Sequence, residues 1–180
     1  MIKEFFLFHL HLYQITIMKT VSAIENKIIS RDTLIRLASG WKILGKKVAF
    51  TNGCFDILHK GHIFSLSQAA KEADMLIVGV NSDASVKKLK GDSRPVNNQN
   101  SRSLILASLV ITDYVVVFEE DTPFELITAF LPDVIVKGGD YLVEQIVGAK
   151  EVMANGGRVV INPIVEGFST TGIIEKMKTS

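Results

Sequence analysis

The chain has 180 residues, a net charge of +1 and a single cysteine, Cys54. That balance gives no global electrostatic case for nucleic acid, and one cysteine excludes an internal disulfide and points to a reducing, cytoplasmic compartment. Hydrophobic residues at 47% and charged residues at 22% exclude a disordered chain and leave room for one domain with a sizeable core.

Residues 1–18 differ in character from the rest of the chain. Phe5-Phe6-Leu7-Phe8-His9-Leu10-His11-Leu12-Tyr13 is apolar but too short to span a bilayer. Lys3 and Glu4 make a poor basic leader, although Val21-Ser22-Ala23 loosely fits a cleavage site. The reading adopted is an upstream extension with Met18 as the start; an apolar arm packing on a partner is the alternative. Residues 19–45 form a helical segment. Ser30 or Asp32 caps a helix whose apolar positions Leu34, Ile35, Leu37, Ala38 and Trp41 have spacings of three and four up to Gly45. Gly40 to Lys47 approaches a Walker phosphate loop, but it lacks the closing hydroxyl residue and precedes a strand, so it is set aside.

From residue 46 to 180, strands and helices alternate. Strands are predicted at 47–52, 75–80, 114–118, 133–137 and 158–162, and runs such as Leu76-Ile77-Val78-Gly79-Val80 suit parallel strands buried on both faces. Helices are expected at about 63–73, 83–89, 100–110, 123–130, 144–155 and 170–178. The pattern gives an α/β fold: a doubly wound, five-stranded parallel sheet. No two glycines are separated by one residue, so the dinucleotide fingerprint is absent.

Polar clusters lie just after four of the strands, where open α/β sheets bind ligands. Asn52, Asp56, His59 and His62 come after the first and Asn81-Ser82-Asp83 after the second. Lys137-Gly138-Gly139-Asp140-Tyr141 comes after the fourth, and Glu166 to Thr171 after the fifth. His59 and His62 lie three apart at an expected helix start, a spacing that lets both imidazoles face one ligand. Helix N-termini suit phosphate, and Gly61 lets a flat ligand approach the backbone. Lys137 would meet a phosphate and Asp140 a ribose or amine, although a glycine turn with a surface ion pair is the plain alternative. Ser169-Thr170-Thr171 reads as an N-cap or as a phosphate site. Lys87 to Pro95, with Arg102 beyond, reads as a basic lid or as a solvated face. Cys54 reads as a small buried side chain rather than a nucleophile. No carboxylate cluster stands ready to hold a metal.

Thr51-Asn52-Gly53-Cys54-Phe55-Asp56-Ile57-Leu58-His59-Lys60-Gly61-His62 resembles the His-x-Gly-His nucleotidyltransferases, the cytidylyltransferase-like superfamily with a Rossmann-like fold. Gly79 to Asp83, Lys90-Gly91 with Arg94-Pro95-Val96-Asn97, Lys137 to Tyr141 and Gly167 to Thr171 are similar, more narrowly, to heptose 1-phosphate adenylyltransferases. Glycerol-3-phosphate cytidylyltransferases are similar around the histidines and the Ser-Thr-Thr but differ at Lys137 to Tyr141.

The resemblance implies transfer of AMP from ATP, carried with Mg2+, to heptose 1-phosphate, giving ADP-heptose and pyrophosphate. It implies catalytic roles for His59, His62, Lys90 and Arg102. Nucleotide contacts would come from Asn52, Gly53, Cys54, Phe55, Gly61, Lys137, Gly138, Asp140, Ser169, Thr170 and Thr171. Asp56, Asn81, Asp83 and Arg94 would meet the sugar phosphate. It also implies a possible homodimer, no nucleic-acid or membrane partner, and a separate sugar kinase, because some relatives carry a kinase domain that 180 residues cannot hold. The alternatives are a cytidylyltransferase for glycerol 3-phosphate and a non-catalytic nucleotide-binding partner of a kinase. The asparagine-rich run Asn97 to Ser101 departs from the family pattern and leaves the lid's construction open.

Overall fold

The computed structural model describes residues 21–163 and 167–179; the expectations for residues 1–18 and for Glu166 lie outside them. The elements in order are α1 (Val21–Glu25), α2 (Arg31–Ile43), β1 (Val48–Gly53), α3 (Lys60–Ala70), β2 (Met75–Asn81), α4 (Asp83–Lys90) and α5 (Gln99–Ala107). They continue as β3 (Tyr114–Phe118), α6 (Phe124–Phe130), β4 (Val134–Gly138), a 3-10 turn (Val143–Gln145), α7 (Ala149–Ala154), β5 (Arg158–Asn162) and α8 (Thr170–Thr179).

All five strands are parallel, in the order β3-β2-β1-β4-β5. The fold is the doubly wound α/β sheet expected. The order reverses direction between β1 and β4, and that switch opens a crevice at the carboxyl ends of these two strands. The apolar strand runs are buried because helices cover both faces. One face packs Phe50, Ile77, Val116 and Ile135 against α2, α6 and α7 through Leu34, Trp41, Leu126, Phe130 and Val152. The other packs Ala49, Val78, Val80, Val115 and Val136 against α3 and α5 through Leu66, Ala69, Leu106 and Ala107.

The segment before residue 46 belongs to this same core. Ser30 caps α2 as the sequence indicates, its Oγ accepting from the Thr33 N–H. Upstream of it, Ile28 makes a parallel bridge to Val115 at the sheet edge.

The helix expected at 144–155 is instead a 3-10 turn and a short helix split at Gly148. Gly148 has φ +79°, and a Cβ there would lie 2.6 Å from Ile127 Cγ2. Backbone conformation and packing both require glycine. Gly148→Ala should therefore lose about 1–3 kcal/mol of stability, measurable by urea denaturation.

Candidate active site

β1 ends in a sharp reversal. Phe55 takes φ +47°, a conformation a bulky side chain adopts at a cost, and its buried ring lies 5.4 Å from that of His62. His59 then serves as the N-cap of α3 in an extended conformation, one residue outside the helix. The sequence spacing puts both histidines on one helical face; here one ring precedes the helix and the other stands on its first turn. They still meet. The two imidazoles stack with centroids 3.9 Å apart and planes 25° apart. Gly61 is what permits this: a Cβ would sit 3.0 Å from His59 Cε1 and Nδ1. The room expected for a ligand at Gly61 is largely taken by the His59 ring.

The Nδ1 atoms of both histidines are buried without a hydrogen-bond partner. Burial lowers the pKa of His59, and burial together with the neighbouring His59 lowers that of His62 to about 4. Both rings are neutral at pH 7, with unspent ring nitrogens. Lys137, at the end of β4, donates to Asn52 Oδ1 at 2.9 Å across the switch point, and burial lowers its pKa as well. Burial raises the Cys54 thiol pKa, which agrees with a structural cysteine.

These residues surround a cavity of about 240 Å³ walled by Asn52 to Phe55, His59, Gly61, His62, Lys137, Gly138, Ser65, Pro163 and Phe168. A second cavity, about 350 Å³, shares the Asn52-Gly53-Cys54 and Lys137 wall and extends to Asn81, Lys90, Asp121, Thr122 and Tyr141.

Several expected ligand contacts are engaged elsewhere. Arg102 is fully buried. Its guanidinium donates to the carbonyl oxygens of Asn97, Cys54 and Asn81 and to Asp83 Oδ1, so it braces the loops around the site. Asp56 and Arg94, assigned to the sugar phosphate, hold each other at 2.6 Å, and the Asp56 carboxylate also accepts from the Val96 and Asn97 N–H groups. Burial pushes the Asp56 pKa up, but the bonds from Asn97, Val96 and Arg94 outweigh it and hold it below the usual range. Asp83 is likewise committed to Arg102, while Asn81 reaches the second cavity. Asp140 is exposed and lines neither cavity. Ser169 acts as an N-cap, its Oγ accepting from the Gly172 N–H, and Thr170 donates to the Ile57 carbonyl, tying α8 to the histidine turn. Ser169, Thr170 and Thr171 line neither cavity; Phe168 lines the first.

The asparagine-rich run has a structural purpose. Asn97 Nδ2 donates to the Asp56 carbonyl, Asn98 caps α5, and Gln99 accepts from the Asp83 N–H. Sequence reasoning missed Asp121 and Thr122. They lie beyond β3, the one strand end where the sequence suggests no polar cluster.

The family model described as cytidylyltransferase-like matches residues 50–176. The chain belongs to the cytidylyltransferase-like family of nucleotidyltransferases. A Caulobacter vibrioides protein named "Bifunctional protein HldE" is 54% identical over 155 residues, covering 86% of this chain and 32% of that protein. The namesake from Rhodospirillum rubrum is 50% identical over 157 residues, covering 87% and 32%. The chain thus spans about a third of the length of these relatives. Among solved structures, a lipopolysaccharide core biosynthesis protein from Thermoplasma volcanium is 29% identical with TM-score 0.54, covering 67% of this chain and 98% of that one. A pantoate-beta-alanine ligase from Francisella tularensis shares the fold at 16% identity and TM-score 0.56, covering 84% and 76%. No helix among the described residues is long and apolar enough to cross a membrane.

Two outcomes are expected of this family member. Because the Asp56 side chain is fully buried and accepts from Arg94, Val96 and Asn97, Asp56→Asn should cost about 3 kcal/mol at neutral pH. Its pKa is lower folded than unfolded, so that advantage holds above the ordinary carboxylate range and fades as pH falls through the lower folded value. Denaturation of both proteins across acid pH checks this. His62 acts in the same direction at higher pH. It takes a proton unfolded near 6.5 and folded only near 4, so between these values the unfolded state binds more protons and stability is lost as pH is lowered from 6.5 towards 4. His62→Gln should flatten that part of the stability curve.

Proposed function

We propose that this chain transfers AMP from ATP to heptose 1-phosphate, forming ADP-heptose and releasing pyrophosphate. The observation that carries the reading is the stacked, neutral His59–His62 pair with unspent ring nitrogens, set in the β1/β4 switch crevice. The motifs similar to heptose 1-phosphate adenylyltransferases and the HldE relatives support the acceptor and the base.

The chemistry asks little of the protein beyond placement. An oxygen of the sugar phosphate attacks the α-phosphorus of ATP; the new P–O bond forms as the bond to the β-phosphate oxygen breaks, and pyrophosphate leaves. The nucleophile is already an anion, so no general base is needed, and catalysis is positioning and charge stabilisation. His59 and His62 would donate to the α-phosphate as charge builds there. An anion between them favours the imidazolium and would draw their pKa values up on binding. Lys137, anchored on Asn52, and Lys90 would neutralise the remaining phosphates. Arg102 and the Asp56–Arg94 pair would act at one remove, fixing the loops that carry these groups.

ATP enters as its magnesium complex. Among the described residues no group of three or more His, Cys, Asp or Glu is arranged to hold a cation, so the phosphates would carry the ion. The sugar 1-phosphate has to come from a kinase, on this polypeptide or another. Cytoplasmic location belongs to the same reading, since ATP and sugar phosphates are found there.

Pyrophosphate release with ATP, CTP and GTP, each paired with heptose 1-phosphate and glycerol 3-phosphate in the presence of Mg2+, tests the proposal. Release is expected with ATP and heptose 1-phosphate, falling about a hundred- to a thousand-fold in His59→Ala. Release with CTP and glycerol 3-phosphate would replace the substrates and keep the mechanism. Nucleotide binding that His59→Ala leaves unchanged, with no release from any pair, would make the chain a binding module.

A further inference from the structure

The two histidines belong to a column of four rings. Phe55, on the turn after β1, lies 5.4 Å from His62, and His62 stacks on His59 at 3.9 Å. Phe168, just before α8, continues the column 6.5 Å from His59 with planes 28° apart. Lys60 Nζ closes the far end, 5.6 Å from the centre of the Phe168 ring. A phenyl ring thus flanks the pair at each end. Neither Nδ1 atom finds a hydrogen-bond partner there. A buried polar nitrogen left in this state is costly until something completes it.

The charges around the column are of one sign. From β4, Lys137 lines the same cavity, and Lys60 stands on the first turn of α3. On the β1 turn the Cys54 thiol is kept neutral by burial, and Lys90, Arg94 and Arg102 lie close enough to act on it. Asp56, the carboxylate of that turn, faces Arg94, Val96 and Asn97 instead. At α8 the nearest groups are the hydroxyls of Ser169 and Thr170, spent on a cap and on the Ile57 carbonyl. Among the described residues no carboxylate acts on either histidine. An imidazolium here has no counter-charge from the protein, and two would set like charges 3.9 Å apart.

We infer that the His59–His62 pair takes up one proton from solvent together with the nucleotide's phosphates and returns it when the products leave. The inference rests on the transfer reaction proposed above and adds its linkage to pH. The proton joins a bare ring nitrogen, no bond of the nucleotide breaks in this step, and the arriving phosphate brings the counter-charge that the protein withholds. The flanking faces of Phe55 and Phe168 favour a cation between them. One proton is enough. The imidazolium then donates from both nitrogens and its neutral neighbour from one, so adjacent rings offer several donors to a single anion. A second proton is opposed by the first across the stack. The empty site therefore stays neutral, and the charged site forms only with its ligand.

Calorimetric titration with Mg2+ and an ATP analogue bridged by methylene between the α- and β-phosphates, repeated near neutral pH in buffers of different ionisation enthalpy, counts the protons. The parent is expected to take up about one per nucleotide, and its affinity to fall about tenfold per pH unit over the range where uptake persists. The His59→Gln/His62→Gln double variant should bind more weakly and take up none. In the parent's NMR spectrum the Cε1–H signals of the two rings, assigned with the single Gln variants, should move towards the imidazolium position as analogue is added. Binding without proton uptake, or with both ring signals unmoved, overturns the inference, while AMP transfer, followed separately as pyrophosphate release, stands. Uptake that persists in the double variant places the proton elsewhere, on Lys137, and overturns it too. If the double variant does not bind, the parent's ring signals decide. A parent that binds no nucleotide overturns both the inference and the transfer reading. Proton-linked binding with no pyrophosphate release from any acceptor removes the transfer reading and leaves the linkage of binding in place.

Discussion

The guanidinium of Arg102 is the point on which the site hangs. It is fully buried, and a buried cation is tolerated only where its donors find acceptors. Here the acceptors are the carbonyls of Cys54, Asn81 and Asn97 and the carboxylate of Asp83. Cys54 lies just past the end of β1, Asn81 ends β2, Asp83 opens α4, and Asn97 lies at the base of the basic loop. One side chain therefore ties together the ends of β1 and β2, the start of α4 and the base of the basic loop. Asp56 repeats the device one layer out, gathering Arg94, Val96 and Asn97 onto the turn that leads to the histidines. Catalytic groups on loops are precise only when something rigid holds the loops, and this pair of charged residues is that scaffold.

This also explains how conspicuous charges in a motif can serve a site by holding its loops. The sequence shows that Asp56, Arg94 and Arg102 belong to the neighbourhood of the site, because Asp56 follows the first strand and Arg94 and Arg102 lie in and just beyond the basic loop near the same edge. It does not show which way they face. Their direction depends on register between loops some 20 to 50 residues apart in sequence, which no local periodicity encodes. Arg and Asp facing each other across a loop base look the same in sequence as Arg and Asp facing a ligand. The strands, by contrast, announce themselves. Leu76 to Val80 and Tyr114 to Phe118 are unbroken apolar runs because both faces of the sheet are covered, and their positions can be read from that alone.

Glycine marks the places where local reasoning comes closest to sufficient and then falls short. Gly61 between the histidines is readable as a close approach, but the group that approaches is the His59 ring. Gly148 lies inside an apparently helical stretch and splits it, because Ile127 of α6 fills the space a side chain would need. Both are tertiary facts expressed at a single residue. The asparagine-rich run before α5 is similar: it looks like a departure from pattern and proves to be a cap, a splice to Asp56 and a tether to α4.

The two cavities share a wall at the ends of β1 and β4, the strands that flank the switch in strand order. The first adds the histidines and α3; the second adds Asn81 at the end of β2, Lys90 of α4 and the turn after β3, together with Tyr141 and Val147 beyond β4. A shared wall of this kind lets two bound groups meet at one point while each keeps its own surroundings. Lys137 stands at that point, tethered to Asn52 and lining both spaces. Burial lowers its pKa, and an anion beside it would favour the charged form, so a group bound in either space acts on the same cation.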